Sequence, residues 1–264
     1  MSPDHPAPGE RAEGGADRRP AGRTGLVLAA GFGSRLAGAD AGTALKPLTP
    51  VAGVPLAART LRGLERAGCA RAVVVLGFEP DEVRAGVEAA YDGPLELAFV
   101  VNERYADSNG VSVLAARPLL DGPFVLTMAD HVVGDEVWDL VRDHRPAQDG
   151  ATLLVDYKLE TVFDMDDATK VQTEGGRVVA IGKELEPFDA VDTGVFVCTG
   201  ALLDALAAVD RERGDAALSD GVRRLAERGR MAALDVGAGF WQDVDTPAML
   251  AHAERRLRER GGAA

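Results

Sequence analysis

The first candidate for chemistry is a glycine-containing loop that follows an apolar run near the start of the sequence. The segment LVLAA at 26–30 leads into GFGSRL at 31–36, and a Lys-Pro pair follows at Lys46 and Pro47. Glycines directly after a strand let backbone N–H groups approach an anion closely. The spacing therefore predicts a phosphate-binding loop, and its alternative is a merely tight strand-to-helix turn.

Two common phosphate loops fit this segment poorly. A dinucleotide-binding fingerprint needs a third glycine where the chain has Leu36, and an acidic residue directly after the second strand, where Gly77 and Phe78 precede Glu79. A Walker loop needs Gly-Lys-Ser or Gly-Lys-Thr, which the sequence lacks. A dinucleotide-dependent oxidoreductase is therefore a disfavoured alternative.

Carboxylates at two predicted strand ends are candidate metal ligands. The apolar run FVLTM ends just before Asp130, and the segment WQDVDT contains Asp243 and Asp245. Magnesium prefers oxygen ligands and usually takes one or two carboxylates together with substrate phosphates. The alternative for each aspartate is helix capping or loop solvation, and it is stronger for Asp245, because the Thr-Pro pair after it looks like a helix start.

The loop together with its lysine resembles a known signature. The pattern A-A-G-x-G-S-R-L, followed about ten residues later by K-P-L, is similar to that of the sugar-phosphate nucleotidyltransferases. The resemblance implies that the loop and its arginine hold the β- and γ-phosphates of a nucleoside triphosphate, while the lysine neutralises charge at the α-phosphate. The residues so assigned to the nucleotide are Leu28, Ala29, Ala30, Gly31, Gly33, Ser34, Arg35 and Lys46.

The same resemblance implies the metal site and the acceptor site. In this family two aspartates share Mg²⁺, and the matching positions are Asp130 and Asp243. Acceptor contacts are expected from His131, Lys170, Lys183 and Asp192, and the catalytic groups from Arg35, Lys46 and Lys183. The alternatives are a structural role for the histidine, surface solvation for the lysines, and a strand-edge position for the aspartate.

Further motifs narrow the resemblance and suggest the nucleobase. NGVSVLAAR, LTMADHV, IGKEL, FDAVDTGVF and FWQDVDTP look most like the CTP:inositol-1-phosphate cytidylyltransferases, a resemblance that runs from about residue 25 to 258. Asn109 and Ser112 form the N-x-x-S pattern of cytidylyltransferases, and short polar side chains can discriminate bases through their hydrogen bonds. The alternative is that both residues simply begin a helix.

The elements that must position these residues follow an alternating pattern. Apolar runs predict buried strands at 25–30, 72–76, 95–101, 124–128 and 152–155, and amphipathic helices lie between them at 55–67, 80–90, 111–119 and 134–143. This alternation predicts an α/β fold with a doubly wound, mostly parallel sheet, Rossmann-like as in the nucleotidyltransferases, and with ligands at the carboxyl ends of the strands.

The later part of the chain changes its pattern. Shorter β-type runs at 169–173, 178–181 and 191–197 predict a small antiparallel insertion. Helices at 199–208 and 216–228, a strand at 231–236 and a helix at 246–258 are expected to complete the fold. Residues 1–24 have the composition of a disordered tail, so the nucleotidyltransferase domain is expected to occupy 25–262.

Composition limits the partners. The 264 residues carry a formal charge of -13 with only four lysines, which argues against a nucleic-acid-binding surface. No run of about 18 apolar residues suggests membrane insertion, and two cysteines make no disulfide framework, so a cytoplasmic protein is expected. The resemblance implies CTP or another NTP and a small phosphorylated polyol or sugar as substrates, a functional link to a membrane CDP-alcohol phosphotransferase, and a homodimer. The alternatives are a nucleotidyltransferase for another NTP and a sugar 1-phosphate, pseudosugar phosphate or choline phosphate, and a non-catalytic nucleotide-binding module.

Overall fold

The computed structural model describes residues 22–33, 36 and 45–261. The strands are β1 (Arg23–Ala29), β2 (Pro50–Val51), β3 (Val54–Pro55), β4 (Cys69–Leu76), β5 (Glu96–Val101), β6 (Phe124–Met128), β7 (His131–Val133), β8 (Ala151–Asp156), β9 (Lys170–Glu174), β10 (Arg177–Gly182), β11 (Ala190–Cys198), β12 (Met231–Asp235) and β13 (Trp241–Asp243). The α-helices are α1 (Leu56–Arg66), α2 (Pro80–Ala90), α3 (Asn109–Ala115), α4 (Asp135–Asp143), α5 (Gly200–Arg213), α6 (Leu218–Ala226) and α7 (Pro247–Gly261). Short 3₁₀ helices lie at Lys46–Leu48, Arg117–Leu119 and Leu159–Thr161.

A nine-stranded sheet in the order β5-β4-β1-β6-β11-β8-β12-β10-β9 forms the centre of the fold. The pairs β5–β4, β4–β1, β1–β6 and β8–β12 are parallel. Strand β11 is antiparallel to both β6 and β8, and β10 is antiparallel to β12 and β9. Because only β10 and β11 run against the other strands, the sheet is mostly parallel in strand direction, as predicted.

Helices cover both faces of the sheet. Alternate residues of a strand point to opposite faces, so Leu26 and Val27 of β1 belong to different apolar clusters. The cluster around Leu26 includes buried side chains of α3, α5 and α6, and the cluster around Val27 includes those of α1, α2 and α4. Gly63 permits close packing of α1 on α4, because a β-carbon there would lie 2.2 Å from the Trp138 ring. This layering confirms the doubly wound α/β fold.

A smaller third hydrophobic cluster includes side chains from the C-terminal part of the chain. Val51, Leu56, Val132, Phe240 and Ala253 pack together there. Strands β13 and β7 form a two-stranded antiparallel ladder in which Asp243 lies opposite His131. The cluster and the ladder thus bring two segments that the sequence separates widely, 131–133 and 241–243, to the carboxyl end of β6.

The structure corrects two details of the predicted elements. Strand β1 begins at Arg23, inside the segment expected to be a tail, because the Arg23 guanidinium donates hydrogen bonds to the Val141, Arg142 and His144 carbonyls at 2.7, 2.7 and 2.8 Å. Strand β11, expected within an insertion, lies in the middle of the sheet between β6 and β8. The remaining 1–21 of the predicted tail lie outside the described residues.

Across the described ranges, no helix is both long enough and apolar enough to span a membrane.

Candidate active site

The predicted phosphate loop borders a cavity of about 350 Å³ at the carboxyl end of β1. Leu28, Ala29, Gly31 and Gly33 line it, together with Lys46. Gly33 has a positive φ of 64°, a conformation that glycine adopts without strain. At this position the chain therefore takes a backbone conformation that residues with a side chain rarely adopt.

Of the other loop residues assigned to the nucleotide, Ala30 does not line this cavity. Ala30 is buried in the core, and its carbonyl accepts a hydrogen bond from the Phe78 amide at 3.2 Å, which ties the loop to the end of β4. Ser34 and Arg35 lie outside the described residues. Their assignment to the triphosphate stays a prediction.

Lys46 lies between two carboxylates. Its Nζ is 2.6 Å from Asp130 Oδ2 and also donates to Asp245 Oδ1. Burial alone would lower the pKa of the Lys46 ammonium, but the two carboxylates outweigh it and raise that pKa above its ordinary value. Lys46 is thus a fixed positive charge at the junction of the glycine loop with the ends of β6 and β13.

Asp130 also pairs with the next residue, His131. The His131 Nδ1 lies 2.6 Å from Asp130 Oδ1, and its ring stacks near Trp241 with 6.3 Å between centroids. Although burial would raise the pKa of the Asp130 carboxyl, His131 and Lys46 lower it well below the ordinary range. Burial would likewise lower the pKa of His131, but Asp130 raises it. The two neighbours therefore keep Asp130 ionised.

A second, larger cavity of about 920 Å³ opens next to the first. Its lining contains most of the predicted site outside the loop: Asn109, Asp130, His131, Lys183, Asp192 and Asp243. Asp130 and Asp245 line both cavities. The two cavities therefore meet at the two carboxylates that hold Lys46.

Three carboxylates form a group that fits a divalent cation. One oxygen each of Asp167, Asp243 and Asp245 lies within 4.8 Å of the others. Burial raises the pKa of the Asp243 carboxyl, Asp245 and Asp130 add to this effect, and His131 opposes it. Lys46 pairs with Asp245 and Lys183 with Asp167, so the group is partly neutralised, and its oxygen ligands are of the kind that a hard cation such as Mg²⁺ prefers. Of the two predicted metal ligands, Asp243 belongs to this group, whereas Asp130 bonds to Lys46 and His131.

Asp192 lies in a turn-like irregularity of β11. Its Oδ1 accepts a hydrogen bond from the Gly194 amide at 2.7 Å. Burial raises the pKa of the Asp192 carboxyl to about 6, while the Gly194 amide and His131 oppose the shift. Gly194 has a φ of +74°, and a β-carbon there would lie 2.6 Å from His131 Nε2. The bulge thus turns Asp192 toward the large cavity and leaves room for the histidine ring.

The two predicted acceptor lysines have different positions. Lys183 lines the large cavity and forms an ion pair with Asp167, a member of the carboxylate group. Lys170 begins β9, and its Nζ donates to the Asp166 carbonyl at 3.1 Å. Lys170 is not among the described residues that line either cavity. The structure therefore brings Lys183, but not Lys170, to the rest of the candidate site.

The two residues predicted to recognise the nucleobase, Asn109 and Ser112, also occupy different positions. Asn109 lines the large cavity, and its side-chain oxygen accepts a hydrogen bond from the first amide of α6, that of Leu218, at 2.8 Å. Ser112 is buried and accepts a hydrogen bond from Asn102 Nδ2 at 2.9 Å. Neither side chain caps α3, whose N-terminal flanking residue is Ser108. Asn109 therefore lies at the cavity, whereas Ser112 is bonded within the protein interior.

Sequence reasoning gave no role to Asp167 or Lys158, and it favoured helix capping over metal binding for Asp245. Asp245 looked like a helix cap, but the Thr246 hydroxyl accepts the Met249 amide at 3.2 Å and caps α7 in its place. Asp167 lies in the acidic segment FDMDDATK, whose density of carboxylates was the available signal. Lys158 had no predicted role, yet it lines the large cavity and bonds to the buried Asp156 at 2.7 Å.

Comparison with known proteins shows the family to which the chain belongs. A family model described as a MobA-like NTP transferase domain matches residues 25–229. Two relatives are named "Bifunctional IPC transferase and DIPP synthase". The one from Rubrobacter xylanophilus is 37% identical over 247 residues, which are 91% of this chain and 54% of that protein. The one from Aquifex aeolicus is 31% identical over 244 residues, 89% of this chain and 51% of that protein. The chain thus spans about half the length of these relatives.

Solved structures share the fold. The inositol-1-phosphate CTP transferase from T. maritima superposes with a TM-score of 0.78 at 24% identity, over 90% of this chain and 96% of that one. A putative glucose-1-phosphate thymidylyltransferase from Bacillus anthracis superposes with a TM-score of 0.75 at 20% identity, over 89% of this chain and 95% of that one. At these identities the likeness establishes the nucleotidyltransferase architecture.

Proposed function

The chain belongs to the family of MobA-like NTP transferase domains, and from this premise we propose that it transfers a cytidylyl group from CTP to inositol 1-phosphate or a closely related cyclitol or polyol phosphate. The products are a CDP-polyol and pyrophosphate. Relatives that are 37% and 31% identical carry IPC transferase in their names, which supports this acceptor over a sugar 1-phosphate.

One observation carries the proposal. The glycine-loop cavity and the large polar cavity share Asp130 and Asp245, and Lys46 is bonded to both. A nucleotide in the first cavity and an acceptor in the second would therefore meet beside a fixed ammonium. That arrangement suits a reaction between two phosphates, where positioning and charge neutralisation supply most of the rate.

The chemical step needs no protein nucleophile. An oxygen of the acceptor phosphate forms a bond to the α-phosphorus of CTP. The bond from that phosphorus to the oxygen that bridges to the β-phosphate breaks, and its electron pair leaves with pyrophosphate. A phosphate monoester is largely ionised at neutral pH, so no general base is required.

The residues divide between donor and acceptor. Lys46 neutralises charge at the α-phosphate, and the backbone of Gly31 and Gly33, with Arg35, holds the departing pyrophosphate. Lys183 approaches the acceptor phosphate, and Asp192 accepts hydrogen bonds from the hydroxyls of the polyol. Asn109 lines the large cavity, so it would contribute to the choice of cytosine only if the base of the nucleotide extends from the glycine-loop cavity into the large one.

The carboxylates provide for Mg²⁺. Asp243, with Asp167 and Asp245, would hold the ion. Asp130 could become a further ligand if Lys46 paired with a phosphate in place of this carboxylate. When bound, the ion supplies charge neutralisation for the two phosphate groups. A homodimer and a link to a membrane CDP-alcohol phosphotransferase stay predictions.

The test is a substrate panel with pyrophosphate release as the readout. Each of the four ribonucleoside triphosphates and dTTP is paired, with Mg²⁺, against inositol 1-phosphate, glucose 1-phosphate and choline phosphate. We expect release with CTP and inositol 1-phosphate. Activity confined to UTP or dTTP with the hexose phosphate would replace the proposed substrates, and no release with any pair would favour a non-catalytic nucleotide-binding module.

A pair of variants tests the residue that carries the proposal. Lys46→Met removes the central ammonium and should lower kcat by about 10²–10³-fold, as for other groups that stabilise charge in the transition state. Arg228→Met removes a positive charge from an exposed position and serves as the control. Equal turnover in the two variants would contradict the role of Lys46.

A further inference from the structure

A row of basic side chains on α7 borders the acceptor cavity. His252, Arg256 and Arg260 all line it, and they are spaced by four residues, which places them on one face of the helix. The family match ends at residue 229, before this helix begins. A segment outside the matched family region therefore completes the wall of the cavity.

The helix is packed directly against other parts of the cavity. The His252 ring lies 4.4 Å from the Phe163 ring, and both residues line the cavity. The Arg256 and Arg260 guanidinium groups lie over the Phe240 ring, at 5.8 and 5.7 Å from its centroid. Phe240 stands three residues before Asp243, so these contacts fix the basic row beside the carboxylate group.

An anionic acceptor needs a cation in this cavity, because aspartates dominate its lining. Several of the described cations that line it are held tightly by a carboxylate: Lys183 by Asp167, Lys158 by Asp156 and Arg260 by Glu136. Arg256 is not held by a carboxylate at such short distance among the described residues.

Among the described residues, the ion pair of Arg256 is a long one within its own helix, to Glu259 at 3.6 Å. No hydrogen bond joins its guanidinium to another described residue, and its side chain is 43% exposed. It is oriented by the Phe240 ring rather than by a counter-charge. A planar guanidinium with free donors matches the geometry of a phosphate.

We infer that Arg256 binds the phosphate group of the acceptor, from the wall of the cavity that α7 forms. The inference rests on the proposed function, since it deepens the assignment of the same cavity to a phosphorylated polyol. Lys183 and Arg256 then approach the acceptor phosphate from different elements of the fold, the end of β10 and the face of α7.

The test separates phosphate recognition from polyol recognition. Isothermal titration calorimetry in Mg²⁺, without nucleotide, measures the binding of myo-inositol 1-phosphate to the wild type and to Arg256→Ala, Arg256→Lys and Arg258→Ala. Arg258 lies on the same helix but is exposed and does not line the cavity, so its replacement is the matched control. Free myo-inositol is the ligand control, because it lacks the phosphate.

We expect Arg256→Ala to weaken the binding of myo-inositol 1-phosphate by at least about tenfold, as for loss of a hydrogen bond to a charged group. Arg256→Lys should recover part of the loss, and Arg258→Ala should bind like the wild type. Equal affinity in Arg256→Ala and Arg258→Ala would overturn the inference, as would an equal loss for free myo-inositol or a wild type that does not bind the phosphate.

Steady-state kinetics distinguishes this failure from failure of the proposed function. Arg256→Ala should raise the KM for the acceptor and leave the KM for CTP unchanged. If the wild type releases pyrophosphate but both KM values match those of Arg256→Ala, the inference is wrong and the proposed function stands. If the phosphate-dependent binding is lost in Arg256→Ala but no NTP is turned over, the proposed function is wrong and the phosphate site stands.

Discussion

The burial of Asp192 should make the stability of the folded chain depend on pH. Burial raises the pKa of this carboxyl to about 6, against an ordinary value of about 3.9. The folded state therefore keeps the proton to a higher pH than the unfolded state does. Because the folded state binds more protons between these two values, the free energy of unfolding decreases as the pH rises through this window.

The magnitude follows from the difference between the two pKa values. That difference is about 2, and one pKa unit corresponds to about 1.4 kcal/mol, so the ionised carboxylate costs about 3 kcal/mol above pH 6. The contribution is fully present as stability below about pH 4 and is lost above about pH 6. An asparagine keeps an oxygen for the Gly194 amide, now bonded at 2.7 Å, but never ionises.

The assay is urea unfolding of the wild type and Asp192→Asn at pH values from 4 to 8. We expect nearly equal free energies of unfolding at pH 4, and a variant that is more stable by up to about 3 kcal/mol at pH 8. Asp149→Asn, at an exposed aspartate, should show no such trend. A stability difference between Asp192→Asn and the wild type that does not change with pH would refute the reasoning.

Two substitutions test how the backbone holds the site. Gly194→Ala should lower the free energy of unfolding by about 1–3 kcal/mol, because φ is +74° and the new methyl group would lie 2.6 Å from His131. Urea unfolding measures the loss, and a stability equal to that of the wild type would contradict the prediction. Thr246→Ala should cost about 1 kcal/mol, because the hydroxyl caps the Met249 amide of α7. Thermal unfolding followed by circular dichroism at 222 nm checks this, and an unchanged midpoint would show that the cap contributes nothing.

Elements that depend on neighbouring residues could be predicted from the sequence. The helix predicted at 80–90 agrees with α2 at both ends, since Pro80 occupies the first turn, acidic residues follow it, and Val83 and Val87 are buried on one face. The strand predicted at 124–128 likewise agrees with β6. In both cases the residues that determine the element lie inside it or directly beside it.

Contacts between distant segments could not be predicted in the same way. Lys46 meets Asp130 across 84 positions and Asp245 across 199, and nothing local distinguishes Asp245 from a helix cap. These pairs depend on the order of strands in the sheet, which hydrophobic periodicity does not encode, so only the family resemblance indicated that the loop, Lys46 and the aspartates form one site.

The internal ion pairs explain how so acidic a chain, with a formal charge of -13, can hold anionic substrates. Lys46 is already packed against Asp130 and Asp245, so its ammonium is desolvated when the chain folds and not when the substrate binds. A phosphate that pairs with Lys46 replaces one anion by another and leaves a carboxylate without its partner. A buried charge left alone costs several kcal/mol. Replacement of a carboxylate by a phosphate at Lys46 is therefore favourable only where a second cation pairs with the carboxylate that is released. The group formed by Asp243 with Asp167 and Asp245 suits that cation.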